Sequence, residues 1–337
     1  MIPVLQVQNL SVAFGFDKKG NPRDGIKPLQ VTDRVSFDIY SGEFFALVGE
    51  SGCGKSVTAM SILRLLPQPS AQIVDGSVLY KESEKAAPID LAKLPLADLQ
   101  KVRGSEIACI FQEPMQALNP VVTIKKQLME VFKFCKRCKG DFMSVIREML
   151  TLAGFKDVDR VLNSYPHELS GGMLQRVCIV MALLSKPRLI IADEPTTALD
   201  VTVQAQVLAV LKDMASRMGT AVLLITHNMG IVSQYADRVA VMYAGRIVET
   251  GGVRDVIDHP MHPYTQGLLA AIPENHSDMR TMKSIPGSVP HPRDFAKGCR
   301  FADRCEKCTE QCRSDNLPPI QKAPGSTNHE ASCFMEI

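Results

Sequence analysis

Residues 49–56 read GESGCGKS and match the pattern G-x-x-x-x-G-K-[ST] at every position. The glycines let backbone N–H groups turn inward, and a helix that begins at this point adds its N-terminal donors, so the segment can cradle nucleotide phosphates. Lys55 supplies a cation to the β- and γ-phosphates, and Ser56 offers a hydroxyl to Mg²⁺. The residues expected to contact the nucleotide through this loop are Gly49, Glu50, Ser51, Gly52, Cys53, Gly54, Lys55 and Ser56.

Two carboxylates close an apolar run at residues 189–194, which read LIIADE. Asp193 ends the run, where its carboxylate can hold Mg²⁺ through water. Glu194 comes next and is the candidate to polarise an attacking water molecule. The alternative is an acidic start to a helix, because Pro195 follows.

Residues 169–175 read LSGGMLQ and stand immediately before a helical pattern. The hydroxyl of Ser170 and the amides of Gly171 and Gly172 would offer hydrogen-bond donors to an anion at the start of that helix. The alternative is a serine-capped helix that binds nothing.

The elements that must position these side chains alternate between strands and helices. Residues 43–48 predict a buried strand that runs into the phosphate loop, and residues 56–66 predict a helix ended by Pro67 and Pro69. Later segments continue the rhythm, which implies a parallel sheet with right-handed crossovers. The later segments are a helix at 173–185, a strand at 188–192, a helix at 202–218 and a strand at 221–225.

Two further regions depart from that rhythm. Residues 4–13 and 30–39 alternate in strand fashion, and residues 123–154 look helical with a break near Gly140, which favours an inserted helical subdomain. After about Asp258, prolines and histidines become frequent and apolar runs shorten, so we place a domain boundary there.

Composition excludes some classes of protein. The 337 residues carry a formal net charge of +2, so bulk charge does not indicate a nucleic-acid partner. No stretch approaches the roughly 20 apolar residues that span a bilayer, and we see no secretion signal. We therefore expect a cytosolic protein whose membrane role, if any, comes through a partner. Because disulfides are rare in the cytosol, we expect none.

In this order, the phosphate loop, the LSGG segment and the strand ending in Asp-Glu resemble the ATP-binding subunit of an ABC transporter. The resemblance implies ATP and Mg²⁺ as cofactors and adds four residues. Gln112 resembles the glutamine that touches Mg²⁺, and His227 resembles the switch histidine that contacts the γ-phosphate. Asp200 belongs to the segment Ala198-Leu199-Asp200, which resembles the loop that crosses between subunits. Phe14 stands where an aromatic ring commonly stacks on adenine, with a core phenylalanine as the alternative.

The resemblance also implies a dimer. Ser170, Gly171 and Gly172 would cap the γ-phosphate held by the phosphate loop of a second ABC ATPase subunit, homologous or identical, packed head to tail. Two ATP molecules would be buried at that interface, and hydrolysis would separate the halves.

Further segments resemble the ATPase subunits of dipeptide and oligopeptide importers. They are FQEPMQALNP at 111–120, PHE at 166–168, MYAGRIVE at 242–249, HPYT at 262–265 and AIP at 271–273. Such a subunit works at the cytoplasmic face of the inner membrane, with two membrane permease subunits and, indirectly, an extracytoplasmic solute-binding protein. The alternatives are an importer for nickel or another small solute, an exporter ATPase and a non-transport ABC ATPase.

The fold class expected on this basis is α/β. It comprises a P-loop NTPase core with a parallel sheet, an antiparallel β subdomain, an inserted helical subdomain at about 115–168, and a small cysteine-containing C-terminal extension. The expected domains are an ABC ATP-binding domain at 1–258 and the extension at 259–337.

The extension contains Cys299, Cys305, Cys312 and Cys333, which resemble the pattern that some dipeptide-type ATPase subunits associate with a [4Fe–4S] cluster. Four thiolates are the ligand set of such a cluster. They also suit Zn²⁺, and free thiols are a third reading. Cys308, an extra thiol between the second and third cysteines, would replace a ligand or stay free.

Overall fold

The computed structural model describes residues 2–23, 27–135, 137–138, 140–197, 199–272 and 285–335. An eight-stranded sheet forms its centre. From one edge to the other, the strands of this sheet are β11 (Ile320–Lys322), β12 (Glu330–Ser332), β10 (Arg246–Gly252), β9 (Arg238–Tyr243), β3 (Phe44–Val48), β8 (Ala221–Thr226), β7 (Leu189–Asp193) and β6 (Ile107–Ile110).

The five strands from β9 to β6 run parallel, as the alternation of strands and helices predicts. Their residues are buried on both faces. In β3, Phe44, Ala46 and Val48 join one hydrophobic core, whereas Phe45 and Leu47 join the other. The continuous apolar runs of the sequence are therefore those of a sheet covered on both sides.

A second sheet is antiparallel and packs beside the first. In the strand at Leu29–Tyr40, buried and less buried residues largely alternate, which explains the strand-like pattern at residues 30–39. This sheet is the antiparallel subdomain expected from the sequence. Its spatial order is β2 (Leu29–Tyr40), β1 (Pro3–Phe14), β4 (Ala71–Tyr80) and β5 (Ile89–Asp90).

The helices cover both faces of the main sheet, and the fourth to sixth lie in the region expected to be an inserted helical subdomain. None of the helices in the described ranges is long and apolar enough to cross a membrane. They are α1 (Lys55–Ile62), α2 (Leu96–Val102), α3 (Pro114–Ala117), α4 (Ile124–Phe134), α5 (Phe142–Leu152), α6 (Val158–Asn163), α7 (Gly171–Leu184), α8 (Val201–Met218), α9 (Met229–Tyr235), α10 (Val253–Asp258) and α11 (Pro263–Ala270).

The C-terminal extension contributes to the main sheet. Strand β12 pairs with β10 through Glu249–Ala331 and Thr250–Glu330, and β11 pairs with β12. The strands formed by residues after 285 thus continue the sheet of the cassette. The division at residue 258 stays a prediction.

Two expectations were wrong in detail. Helix α1 ends at Ile62, before the prolines, because Arg64 adopts a left-handed backbone conformation with φ of 52°. Helix α4 ends at Phe134, so Cys135 and Cys138 lie in the connection after it, where they form a disulfide with a Cα–Cα distance of 5.4 Å. The expectation of no disulfides is therefore wrong for this pair.

Candidate functional site

The phosphate loop joins the buried strand β3 to helix α1, as its motif requires. Gly54 is the N-cap of the helix and has φ of 107°, a conformation that side chains with a Cβ rarely adopt. Gly49 packs so closely against the backbone of Met242 that a Cβ there would overlap the Met242 carbonyl oxygen. The loop therefore depends on glycine both for its turn and for its contact with β9.

Lys55 is buried, with 4% of its surface exposed. Its Nζ donates hydrogen bonds to the carbonyl oxygens of Gly49 at 2.7 Å and Glu50 at 3.0 Å. These contacts hold the ammonium group inside the loop that would receive the phosphates. A phosphate anion entering the loop would find this cation already in place.

Ser56 and Asp193 meet across the loop. The Ser56 hydroxyl donates to Asp193 Oδ1 at 3.0 Å. Burial raises the pKa of Asp193, and the neighbouring Glu194 adds to this, whereas Ser56 and Lys55 oppose it. A hydroxyl and a carboxylate oxygen are hard donors of the kind that Mg²⁺ takes beside water and phosphate oxygens, so this pair fits that ion.

Glu194 and His227 lie together at the carboxyl ends of β7 and β8. His227 Nδ1 is 3.3 Å from Glu194 Oε1, and Thr197 donates to Glu194 Oε2 at 2.8 Å. Glu194 has φ of 45° and its N–H donates to Ile225 at 3.0 Å, so a hydrogen bond to β8 supports its left-handed backbone. Two of the three candidate catalytic side chains, Glu194 and His227, therefore lie together, and Gln112 is the third candidate.

Gln112, Phe14 and Asp200 occupy separate positions. Gln112 follows β6, which pairs with β7, so it lies at the same edge of the sheet as Asp193 and is exposed. Phe14 ends β1 and is half-buried. Asp200 caps α8 by accepting a hydrogen bond from the Val203 amide at 2.9 Å, and Ala198 lies outside the described residues.

Ser170 is the N-cap of α7, a helix of 14 residues. Its hydroxyl makes no capping bond to its own helix, and the residue is exposed. Gly171 and Gly172 lie against Leu199 and Val203, where little room exists for a side chain. Within the described ranges, no hydrogen bond joins these three residues to the phosphate loop.

Glu50 makes two contacts that were not predicted from the sequence. Its amide donates to the hydroxyl of Tyr264 at 2.9 Å, and its carboxylate pairs with Arg304, whose Nη1 is 2.6 Å from Oε2. Tyr264 belongs to the HPYT segment, which sequence reasoning used only to mark a branch of the family. No local pattern in the sequence signals either contact.

A buried carboxylate anchors the same region. Glu249 accepts hydrogen bonds from the amides of Met261 and His262, each at 2.8 Å, and its Oε1 is 2.8 Å from His329 Nε2. His262 caps helix α11 through its Nδ1 and the Tyr264 amide at 3.0 Å. Burial lowers the pKa of His262 to about 4, so its ring is neutral near pH 7.

The four expected cluster cysteines come near one another. Burial, together with the neighbouring thiols of Cys312, Cys333 and Cys305, raises the pKa of Cys299 to about 11. Cys312 and Cys333 are buried, whereas Cys308 is only half-buried. Across the described ranges, however, no three His, Cys, Asp or Glu side chains are arranged to hold a metal ion. The donors suit iron–sulfur chemistry by type, and the arrangement itself is not a metal site.

Comparisons with known proteins agree with these motifs. The family model described as "ABC transporter" matches residues 32–197, and the one described as "Oligopeptide/dipeptide transporter, C-terminal region" matches residues 248–312. The chain is 44% identical over 336 residues to the oligopeptide transport ATP-binding protein AppD of Bacillus subtilis (strain 168), covering 99% of this chain and 97% of that relative. It is 43% identical over 337 residues to the dipeptide transport ATP-binding protein DppD of the same organism, covering 100% of this chain and 96% of DppD.

Solved structures give the same result for the fold. The dimeric structure of MJ0796, a bacterial ABC transporter cassette, superposes with a TM-score of 0.61 at 26% identity, covering 74% of this chain and 99% of that one. A dimeric post-hydrolysis state of MJ0796 bound to ADP and Pi also superposes with a TM-score of 0.61. Its identity is 25%, and the match covers 74% of this chain and 99% of that one.

Proposed function

The chain belongs to the ABC transporter family, in its oligopeptide and dipeptide transporter group, and from this premise we propose how it works as the ATPase subunit of a peptide importer. The observation that carries the proposal is the convergence of Lys55, Ser56, Asp193, Glu194 and His227 at the carboxyl edge of the main sheet. The relatives named for oligopeptide and dipeptide transport support the choice of cargo.

In this proposal the phosphate loop binds the phosphates of ATP, with Lys55 neutralising their charge. Ser56, Asp193 and Gln112 would hold Mg²⁺, which when bound would neutralise charge at the β- and γ-phosphates. Glu194 orients and polarises the attacking water, and His227 contacts the γ-phosphate. The contacts of Glu194 with Thr197 and His227 fix its carboxylate before ATP arrives.

The γ-phosphate is capped by a second ABC ATPase subunit, identical or homologous, packed head to tail. The exposed Ser170 and the start of α7 support this arrangement, since a helix N-terminus can bind an anion and the Ser170 hydroxyl makes no capping bond to its own helix. Leu199 and Val203, which lie on either side of Asp200 in the sequence, pack against Gly171 and Gly172. Phe14 stacks on the adenine.

Two membrane permease subunits couple hydrolysis to import, and an extracytoplasmic solute-binding protein delivers the cargo. The subunit is peripheral, at the cytoplasmic face of the inner membrane. We assign residues 1–258 to the ATP-binding domain, with a helical subdomain at about 115–168, and residues 259–337 to the extension.

The experiment is uptake by proteoliposomes that contain the permease subunits and this ATPase, with ATP inside and the binding protein outside. Labelled dipeptides and hexapeptides should accumulate, whereas a nickel chelate should not. Ser170→Arg should abolish uptake and ATP-dependent dimerisation, while Ser233→Arg, on the exposed surface of α9, should leave both unchanged. Accumulation of the nickel chelate without peptide would show that the cargo is a nickel chelate and not a peptide. Normal uptake by Ser170→Arg would exclude an ATP site that is shared between two subunits.

We also propose that Cys299, Cys305, Cys312 and Cys333 bind a [4Fe–4S] cluster in the assembled protein. The number and type of the donors support this, and no step of ATP hydrolysis passes through the cluster. Anaerobically purified protein should show visible absorption and about four iron and four sulfide per chain. Stoichiometric zinc without sulfide would support the zinc alternative. The absence of both iron and zinc would indicate that the thiols are free.

A further inference from the structure

Glu50, the second residue of the phosphate loop, is fixed at three points. Its carbonyl accepts from Lys55 at 3.0 Å, its amide donates to Tyr264 at 2.9 Å, and its carboxylate pairs with Arg304. Two of these three partners come from the C-terminal part of the chain, 214 and 254 residues away. The conformation of the loop entrance therefore depends on segments outside the phosphate-binding motif.

The Arg304–Glu50 pair is bidentate. Arg304 Nη1 lies 2.6 Å from Oε2 and Nη2 lies 3.0 Å from Oε1, the parallel geometry in which a guanidinium binds a carboxylate most specifically. The side chain of Arg304 is only 8% exposed and that of Glu50 27%. Burial lowers the pKa of Arg304, but the bonds to Glu50 and Tyr243 outweigh it and raise the pKa, so the guanidinium is charged.

Arg304 is itself held rigidly. Its Nε donates to the Pro286 carbonyl at 2.8 Å, and its guanidinium lies 5.7 Å from the centre of the Tyr243 ring. The turn Ala302–Arg304 that carries it begins after Phe301, whose ring packs 5.1 Å from Tyr243 and 5.3 Å from Tyr264. A side chain restrained in this way transmits its position to its partner at little entropic cost.

The charge of Glu50 gives the contact a consequence. The carboxylate belongs to the loop that must receive phosphate anions, and an unpaired negative charge at this place would repel them. Arg304 neutralises that charge and draws the carboxylate toward the extension, and the hydroxyl of Tyr264 fixes the amide of the same residue. The loop is thereby preorganised for anion binding before the nucleotide arrives.

We propose that Arg304 is a positioning residue for the phosphate loop, which acts through Glu50 so that the C-terminal extension sets the affinity of the cassette for ATP. The inference rests on the proposed binding and hydrolysis of ATP at this loop. Arg304 contacts neither Ser56 nor Asp193 nor Glu194, so its effect falls on nucleotide binding and leaves the chemical step unchanged.

The test measures the Kd of Mg–AMP-PNP by calorimetry and the KM and kcat for ATP on the full chain. Arg304→Met should weaken Kd about tenfold and raise KM similarly, with kcat within about twofold, because the loss is one of binding. Arg304→Lys keeps the positive charge but cannot make the two parallel hydrogen bonds to the carboxylate. Its Kd should therefore be only about threefold weaker than that of the parent chain. Arg313→Met, which breaks an exposed ion pair to Asp303 in the same extension, is the matched control and should leave Kd unchanged.

Glu50→Gln tests the route. With no carboxylate to hold, Arg304→Met should change Kd by less than about twofold in the Glu50→Gln background. If Arg304→Met changed Kd equally in the parent chain and in Glu50→Gln, Arg304 would not act through Glu50. An unchanged Kd in Arg304→Met would overturn the proposal. If Arg304→Met lowers the Tm enough to disturb folding, Arg304→Lys carries the same comparison. A parent chain that binds no nucleotide would instead refute the proposed function.

Discussion

The Ser56 hydroxyl donates a hydrogen bond to the Asp193 carboxylate at 3.0 Å across 137 residues of sequence. The contact joins the first turn of α1 to the carboxyl end of β7, so the two residues expected to hold Mg²⁺ lie within hydrogen-bonding distance of each other. Both groups would have to exchange this bond for coordination or for bonds to coordinated water when Mg²⁺ and ATP bind. The site therefore has its ligands in place, and their mutual hydrogen bond keeps the buried carboxylate satisfied until then.

Asp193→Asn should lower the ATPase rate about 100-fold at 1 mM Mg²⁺, because a neutral amide holds the hydrated ion more weakly than a carboxylate does. Part of the activity should return as the Mg²⁺ concentration rises. The measurement is a titration of steady-state hydrolysis with MgCl₂. Asp213→Asn, which removes an exposed carboxylate paired with Arg217 on α8, is the control and should follow the parent curve. An identical Mg²⁺ dependence in both variants would remove Asp193 from the ion site.

Glu194→Gln should lower hydrolysis at least about 100-fold and leave ATP binding intact, since the amide cannot act as a base. The chain, mixed with its partner subunit if the dimer is heteromeric, should then elute as an ATP-dependent dimer in size-exclusion chromatography with light scattering. Thr197→Val removes the 2.8 Å hydrogen bond to Glu194 but keeps the carboxylate, so its rate should fall by less than about tenfold. Hydrolysis by Glu194→Gln at the parent rate would show that Glu194 is not the base.

Local chemistry explains which parts of the site the sequence predicted. The phosphate loop needs a strand, a glycine-rich turn and a helix that are consecutive in the chain, and an apolar run that ends in Asp193 places its carboxylate at the sheet edge. Glu194 follows β7 and His227 follows β8, and because these neighbouring parallel strands end at one edge, the two side chains lie together.

Long-range contacts explain what the sequence did not predict. The partners of Glu50 stand more than 200 residues away, and neither Tyr264 nor Arg304 carries a periodic or spacing signal. Strand β12 has only three residues, too few for an alternating pattern, and it forms because β10 offers an open edge. Neighbouring structure, which a single sequence does not display, decides these features.

Glu249→Leu should destabilise the fold by about 3–5 kcal/mol, because it leaves two buried amides without their acceptor and separates His329 from its carboxylate partner. Chemical denaturation followed by circular dichroism would measure the change, with hydrogen exchange to locate it in the extension. Glu306→Gln, at an exposed position of the extension, should change stability by less than about 0.5 kcal/mol. If the two variants were equally stable, the buried carboxylate would not anchor the extension.

His262 should make the protein sensitive to acid. Its folded-state pKa of about 4 lies below the ordinary value of 6.5 because burial disfavours the charged ring. Between these pH values the unfolded chain binds a proton that the folded chain does not, so stability falls as the pH falls from 6.5 toward 4. The contribution of this one group over the window is about 3 kcal/mol.

His262→Asn keeps a side-chain acceptor for the Tyr264 amide but cannot titrate, so it isolates the effect of the proton. The unfolding free energy of the parent chain and the variant, measured by urea denaturation from pH 7.5 to 4.5, should differ by an amount that changes steadily in favour of the variant below pH 6.5. His259→Asn, at an exposed position just before the HPYT segment, should show the parent slope. Parallel curves for the parent chain and His262→Asn would mean that the His262 ring is protonated in the folded protein without cost. In that case the enclosure of the ring by Phe301 and helix α11 would have to open at mild acidity.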